Sequence, residues 1–296
     1  MARSIAVTVI AIGAALHGCA SIAGFEDLRS DCPPGEPLCA DAGAGASGPG
    51  GSAGKGGASG SGAGGGFQGC ESAGQPPGLQ GGPEMAKFVR PDGSCFWIDV
   101  TEVTEEQYAD YLATAPGPSG DPRCPGEAER SDACRAARLD AGSPGEYPQT
   151  CVDWCEARAF CLWAGKDLCL DDAEAVDEAL LAASDYYYAC SAGGTHLASA
   201  PCPTEVCNVP QAGFDAIQPA GKASNCYVEG SDKTRVYDLI GNVAEWTAEC
   251  LLDTPDGACL VRGGSFDASA CCDEPSRVMR RRATTNTGFR CCYYAP

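Results

Sequence analysis

The sequence predicts a single α+β domain that is rich in loops and stapled by disulfides. Three observations support this fold class. An aromatic and β-branched run typical of a strand, Phe96–Val103, is followed by two helix-start patterns, at Thr104 and Asp153. Long stretches between the predicted elements are rich in glycine, proline and charge, and the chain contains 21 cysteines. Dense disulfides can hold irregular backbone that a hydrophobic core alone could not.

Each of the two helix-start patterns is a capping box, in which an N-cap side chain and the side chain of the third helical residue bond each other's backbone. The boxes are Thr104 with Gln107 and Asp153 with Glu156. The first helix is expected to end near Ala113, and the second at Gly165.

The remaining segments of the domain are less regular. A loop over 116–143 is expected to be held by a pairing of Cys124 with Cys134. A third helix is predicted from Asp171 to about Ala183, and an irregular region over 191–235 follows it. Cys250 and Cys259 bracket a turn, which suggests a disulfide across a hairpin.

The charge and the histidine content exclude several functions. The formal net charge is −20, which argues against nucleic acid, because affinity for nucleic acid depends on neutralising phosphates. Only His17 and His196 are present, so a multi-histidine iron or zinc centre is impossible. A basic cluster, Arg262 with 280–282, could bind an anion, but ion pairs with the many carboxylates are the simpler role.

The N-terminus predicts export and lipidation. Residues 1–18 read as a lipoprotein signal peptide: Arg3 gives a positive start, and the apolar run Ile5–Leu16 is too short to span a bilayer. The segment that ends at Cys19 resembles a lipoprotein cleavage box, in which Cys19 is the lipidated residue. His17 is unusual in that box, so cleavage elsewhere stays open. We expect a protein of the cell envelope, lipid-anchored at the outer membrane or the cell surface.

The composition divides the rest of the chain into three parts. Residues 19–42 form a short segment with Cys32 and Cys39. Residues 43–69 read as a Gly/Ala/Ser-rich disordered linker, with glycine at 13 of the 24 positions over 43–66. Residues 70–296 form the folded domain.

A tight turn at Gly241-Asn242 suggests a cation site. Asn242 and Glu245 are three residues apart, and with the Val243 carbonyl they could present oxygen atoms to calcium, which takes oxygen ligands. The alternative is that Asn242 only caps the turn and Glu245 is solvated.

Three motifs in order, "GNVAEW" (241–246), "RGGSF" (262–266) and "GFRC" (288–291), resemble the sulfatase-modifying-factor family, whose domain is the formylglycine-generating-enzyme (FGE-sulfatase) domain. The resemblance covers about residues 70–296. It implies a fold related to the C-type-lectin-like fold, a Cys161–Cys291 disulfide, and calcium at Asn242, Val243 and Glu245.

The resemblance also implies copper chemistry, in which two cysteines after the "GGS" motif hold copper(I) as thiolates and a protein cysteine is oxidised to formylglycine. Those two positions are Ala268 and Asp273 here. Cys271 and Cys272 lie nearby and are either structural disulfide partners or substitute copper ligands. Ser265 matches the motif's serine but lacks a base that would make it a nucleophile.

Two functions are therefore expected from the sequence. One is oxidative modification of a protein cysteine, for which the matched cysteine pair is missing. The other is a non-catalytic, calcium-supported module that binds an envelope polysaccharide or protein.

Overall fold

The computed structural model of the protein describes residues 76, 78–117, 120–124, 134, 144–172, 182–194 and 205–294. All of them belong to the second of the two units into which the chain divides, residues 62–296. The predicted signal peptide, Cys19, the segment 19–42 and the linker 43–69 lie outside the described residues. Among the helices of the described part, none is long and apolar enough to cross a membrane.

The first sheet joins the two ends of the domain. It has four strands in the order β1-β2-β12-β3. Their bounds are β1 Met85–Val89, β2 Cys95–Asp99, β3 Asp167–Leu168 and β12 Cys291–Tyr293. The predicted strand Phe96–Val103 is present as β2 but ends at Asp99. Strand β12 pairs antiparallel with both β2 and β3, so the end of the domain lies in the middle of this sheet.

The two predicted capping boxes are both present. Helix α1 spans Glu105–Ala113 after the N-cap Thr104, and helix α2 spans Trp154–Trp163 after the N-cap Asp153. In each helix the third residue's side chain also bonds the N-cap backbone, which satisfies amide groups that a helix start would leave unpaired.

The second sheet carries the turn and the motifs of the C-terminal part. It has four strands in the order β10-β7-β6-β11. They are β6 Ala244–Cys250, β7 Ala258–Arg262, β10 Ser276–Met279 and β11 Thr287–Phe289. Two small hairpins complete the strands, β4 Tyr227–Glu229 with β5 Arg235–Tyr237, and β8 Gly264–Ser265 with β9 Ala268–Ser269.

A short helix follows the segment in which the third helix was predicted. Helix α3 spans Asp185–Cys190, just before the region 191–235 that the sequence predicts to be irregular. Of the predicted helix 171–183, residues 182 and 183 are helical, Asp171 is not, and residues 173–181 lie outside the described residues. The Ser184 side chain caps α3 by accepting from the Tyr187 N–H, and this signal was overlooked because the apolar pattern is short. Single-turn helices also occur at Pro144–Glu146 and Pro210–Ala212.

The described residues form two hydrophobic clusters, one where α3 packs against β1 and β2 and one where α1 and α2 pack on the second sheet. The second cluster lies beside the turn at Gly241-Asn242. Aromatic side chains dominate it: Phe160 of α2 contacts Tyr108 of α1 and Phe289 of β11 at ring-centroid distances of 5.8 and 5.4 Å. The Trp246 indole is fully buried and donates to the Val152 carbonyl at 3.2 Å. Burying aromatic side chains supplies a large part of a domain's stability, provided that their polar atoms find partners.

Disulfides connect the elements across long sequence distances. Cys161 of α2 is bonded to Cys291 of β12, the pair that the resemblance implies, and Cys250 is bonded to Cys259 across the β6–β7 hairpin. The expected pairing of Cys124 with Cys134 is wrong, because the structure pairs them with other cysteines near the start of α2. The bonds are Cys124–Cys155 and Cys134–Cys151, and further bonds between described residues include Cys169–Cys292, Cys190–Cys272 and Cys207–Cys226.

Removing both long-range disulfides is expected to destabilise the domain more than removing the hairpin disulfide. Cys161–Cys291 and Cys169–Cys292 close separations of 130 and 123 residues, and Cys250–Cys259 closes a separation of 9. Each long-range bond shortens the loop that the other closes, so both have to be removed together. Under the chain-entropy model, Cys161→Ala/Cys169→Ala/Cys291→Ala/Cys292→Ala lowers the free energy of unfolding by about 5 kcal/mol or more and Cys250→Ala/Cys259→Ala by about 2.5 kcal/mol. Urea unfolding without reductant measures both. An equal or larger loss in the hairpin variant would contradict the prediction.

Candidate functional site

The turn between β5 and β6 is held in a conformation that few residues adopt. Gly241 has φ 80°, and a side chain on it would bring a Cβ within 2.3 Å of the Asn208 carbonyl oxygen. Asn242 follows with φ 57°, a left-handed conformation that asparagine tolerates better than most residues, and its N–H donates to the same Asn208 carbonyl at 2.7 Å. The Gly-Asn pair is therefore required by close packing on the segment that contains Asn208.

The Asn242 side chain is buried and uses all of its hydrogen-bonding capacity. Its Nδ2 donates to Glu102 Oε1 at 2.9 Å and to the Gln218 carbonyl at 3.2 Å. Its Oδ1 accepts from the Gln218 N–H at 2.9 Å and from Asn208 Nδ2 at 3.0 Å. One amide thus ties together three segments that are distant in sequence.

Glu245 is fully buried and paired with Arg290. The guanidinium donates from Nε to Oε2 at 2.6 Å and from Nη2 to Oε1 at 2.7 Å. Burial alone would lower the pKa of Arg290, but the adjacent Glu245 carboxylate outweighs it and raises that pKa, so the arginine stays charged. The alternative in which Glu245 is solvated is wrong, because Glu245 and its partner have no exposed surface.

These hydrogen bonds determine whether the predicted ligands have oxygen atoms left for calcium. The Asn242 oxygen and both Glu245 oxygens already accept from nitrogen donors, and no group of three or more His, Cys, Asp or Glu side chains in the described residues is arranged to hold a metal. The donor set as arranged does not fit the six to eight oxygen ligands of calcium. Calcium binding by Asn242, Val243 and Glu245 stays a prediction.

Two buried carboxylates beside this turn were missed by sequence reasoning. Burial raises the pKa of Asp238 to about 7, and the Asp238 Oδ2 accepts from the Gly221 N–H at 2.7 Å. Burial and the nearby Asp238 raise the pKa of Glu102 well above its usual range. One oxygen of each, Glu102 Oε2 and Asp238 Oδ1, has no hydrogen-bond partner among the described residues. Neither residue lies in a spacing that signals burial of a charge.

The positions that would hold copper carry no thiolate. Ala268 is exposed in the β8–β9 hairpin, opposite Ser265, and Asp273 offers only a carboxylate. Cys272 is bonded to Cys190, and Cys271 is also in a disulfide. Copper(I) prefers thiolates, and a disulfide sulfur lacks their negative charge, so the residues present do not fit the metal.

Ser265 has a structural partner in place of a catalytic one. Its side chain is buried, and the hydroxyl donates to Asp267 Oδ1 at 2.6 Å. Asn286 Nδ2 donates to the same oxygen at 3.0 Å. The result is a hydrogen-bonded loop next to the missing copper positions, and among the described residues the partner of the Ser265 hydroxyl is a carboxylate.

The basic cluster separates into members with different surroundings. Arg262 is buried and forms a bidentate pair with Asp171, at 2.7 Å for each bond. Arg280 is buried and donates to the carbonyls of Leu252 and Thr254. Arg281 and Arg282 are exposed. The expected ion pair is therefore present for Arg262, whereas Arg280 bonds carbonyl groups.

The raised pKa of Asp238 predicts a pH-dependent stability. The folded state keeps the proton up to about pH 7, whereas the ordinary pKa is 3.8, so the unfolded chain releases it first and stability falls as pH rises between these values. Asp238→Asn is expected to flatten this fall, and the exposed Asp215→Asn is the control. Urea unfolding at a series of pH values measures it. A variant with the same slope as the parent protein would show that Asp238 does not titrate in this range.

Comparison with known proteins agrees with the motifs. The model of the FGE-sulfatase family, described as a sulfatase-modifying factor enzyme 1-like domain, matches residues 89–295. "Inactive C-alpha-formylglycine-generating enzyme 2" from Bos taurus is 29% identical over 157 residues, which cover 49% of this chain and 50% of that protein. The chain thus spans about half the length of this curated relative.

Two solved structures are similar to the domain. CarF has 22% sequence identity and a TM-score of 0.46, over 68% of this chain and 87% of that chain. PvdO from Pseudomonas aeruginosa has 19% identity and a TM-score of 0.48, over 75% of this chain and 100% of that chain. Because the family model covers most of the chain and its motifs lie at the turn and loops described above, the chain belongs to the FGE-sulfatase family.

Proposed function

We propose that this protein is an exported, non-catalytic member of its family that uses the domain as a binding module. The observation that carries the proposal is the state of the cysteines around the copper positions. Ala268 and Asp273 replace the two thiolates, and the nearby Cys271 and Cys272 are both in disulfides. A copper ion that oxidises a substrate cysteine would therefore lack its thiolate ligands here.

The name of the bovine relative supports a non-catalytic role, since that protein is called inactive. The domain of this chain retains the scaffold: the Gly-Asn turn, the buried Glu245–Arg290 pair and the α2–β12 disulfide are all present. A scaffold kept without its redox site is suited to presenting a surface to a partner. Fold alone does not specify an activity, so the surface has to be tested directly.

Export is supported by the oxidation state. Every cysteine in the described residues is disulfide-bonded. Disulfides persist in oxidising compartments and are rare in a reducing cytosol. We place the protein at the cell envelope, anchored through a lipid on Cys19, with an envelope protein or polysaccharide as the ligand. The proposal does not depend on calcium.

Copper binding separates the proposed module from an oxidase. The purified, unreduced protein is expected to take no copper(I) from bicinchoninate and to consume no oxygen when a cysteine-containing peptide is added. The double variant Ala268→Cys/Asp273→Cys restores thiolates at both positions and is expected to gain copper(I) binding, whereas Ala268→Ser/Asp273→Ser is not. The readouts are competition spectroscopy and an oxygen electrode.

Two outcomes would contradict the proposal. One is tight copper(I) binding by the parent protein together with peptide-dependent oxygen uptake. The other is a failure of the purified domain to be retained by envelope preparations, measured by co-sedimentation, since a binding module must have a ligand there. Protease treatment of the envelope preparation then distinguishes a protein ligand from a polysaccharide.

A further inference from the structure

Three exposed guanidinium groups cluster at the edge of the second sheet. Arg277 lies on β10, and Arg281 and Arg282 lie in the turn that follows it. Across the described ranges, none of the three side chains has an ion pair or a hydrogen bond, although Arg281 lies close enough to Asp153 to offset part of the rise that burial causes in the pKa of that carboxyl. This is unusual in a chain with a net charge of −20, in which carboxylates outnumber basic groups two to one. Such a cluster can pair at short range with the carboxylates of an acidic segment, where the net charge of the chain is screened.

The strand that carries the cluster has an open edge. In the part of the chain that the structure describes, β10 pairs with β7 alone. The Arg280 N–H donates to the Gly257 carbonyl at 2.9 Å, and antiparallel pairs alternate, so the N–H and C=O of Arg277 and Met279 point away from β7. The Met279 carbonyl accepts from the Arg282 N–H at 2.9 Å. The Arg277 N–H and C=O and the Met279 N–H remain available to a further strand.

Apolar surface lies beside the charges. Met279 is 44% exposed and stands opposite Ala258 in the β10–β7 register. Leu251 is 39% exposed, and its N–H donates to the Ala258 carbonyl at 2.8 Å. Directly opposed residues share a face, and Arg277 shares it with Met279 because alternate residues of a strand do. This face therefore offers one guanidinium and the Met279 side chain at the open edge, and Leu251 lies on the far side of β7.

We propose that β10 receives an extended, acidic segment of a partner protein as an added strand. Its main chain would bond the Arg277 and Met279 groups, its carboxylates would pair with Arg277, Arg281 and Arg282, and an apolar side chain would cover Met279. A polypeptide fits better than a polysaccharide, because only a polypeptide supplies donors and acceptors at the spacing of a strand edge. The inference rests on the proposed function and identifies its ligand as protein.

The test uses a fluorescent seven-residue peptide, Thr-Glu-Thr-Val-Thr-Glu-Thr, in which glutamate and valine share one face of the strand. It is titrated into the protein at about 0.15 M ionic strength, which screens the net charge of the chain, and binding is followed by anisotropy. Arg277→Glu/Arg281→Glu/Arg282→Glu is expected to weaken binding about tenfold or more, because each exposed ion pair contributes up to roughly fivefold. Lys222→Glu/Lys233→Glu/Arg235→Glu makes the same change in net charge on other exposed residues and is expected to leave binding unchanged. Circular dichroism and urea unfolding verify that both variants fold.

A second peptide tests the added strand independently of charge. Methylation of alternate backbone nitrogens removes the donors that would bond β10, while the carboxylates remain, and this peptide is expected not to bind. Equal binding of the methylated peptide, equal loss in both triple variants, or binding of heparin in place of the peptide would overturn the proposal. The envelope assay keeps the two proposals apart: retention that survives the three arginine substitutions overturns this surface only, whereas no retention by the parent protein overturns the binding module itself.

Discussion

The buried guanidinium of Arg290 is the contact on which the rest of the structure depends. It bonds both oxygens of Glu245 in β6, the Asp99 carbonyl at 3.0 Å in β2, and the Tyr237 carbonyl at 2.9 Å in β5. One side chain thereby joins the two four-stranded sheets and a hairpin. A buried charge is tolerated only when it is paired and its donors are satisfied, so this arrangement requires each partner to stay in place. Loss of either partner would leave an uncompensated charge in the core.

Much of the fold was predictable where its determinants are local. The capping boxes at Thr104 and Asp153 depend on residues three positions apart, and both helices begin where they predict. The cysteine pairing was predictable only for Cys161 and Cys291 through resemblance, and for the short hairpin of Cys250 and Cys259. The one pairing that was wrong, Cys124 with Cys134, depends on how the loop approaches α2, which no local pattern encodes.

The candidate site was less predictable from the sequence than the helices, because its contacts are not local. Sequence reasoning found Asn242 and Glu245 but not what they contact, because Arg290, Glu102 and Asn208 approach them from distant segments. The spacing of two oxygen-bearing residues is compatible with a cation and with a hydrogen-bond network. Only the positions of the nitrogen donors distinguish the two, and these follow from packing. The replaced copper positions, in contrast, were readable from the sequence through the family resemblance, which assigns them to Ala268 and Asp273.

The central place of β12 in the first sheet has a consequence for how the protein is made. Cys291 N–H donates to Asp99 Oδ2 at 2.9 Å across a separation of 192 residues, and the neighbouring Cys292 is bonded to Cys169. Strand β2 and strand β3 cannot be joined until β12 has arrived between them. The early segments therefore stay unfolded, with their thiols open to mispairing, until the last part of the domain has been made. Correct assembly consequently depends on the exchange of wrong disulfides after the whole domain is available.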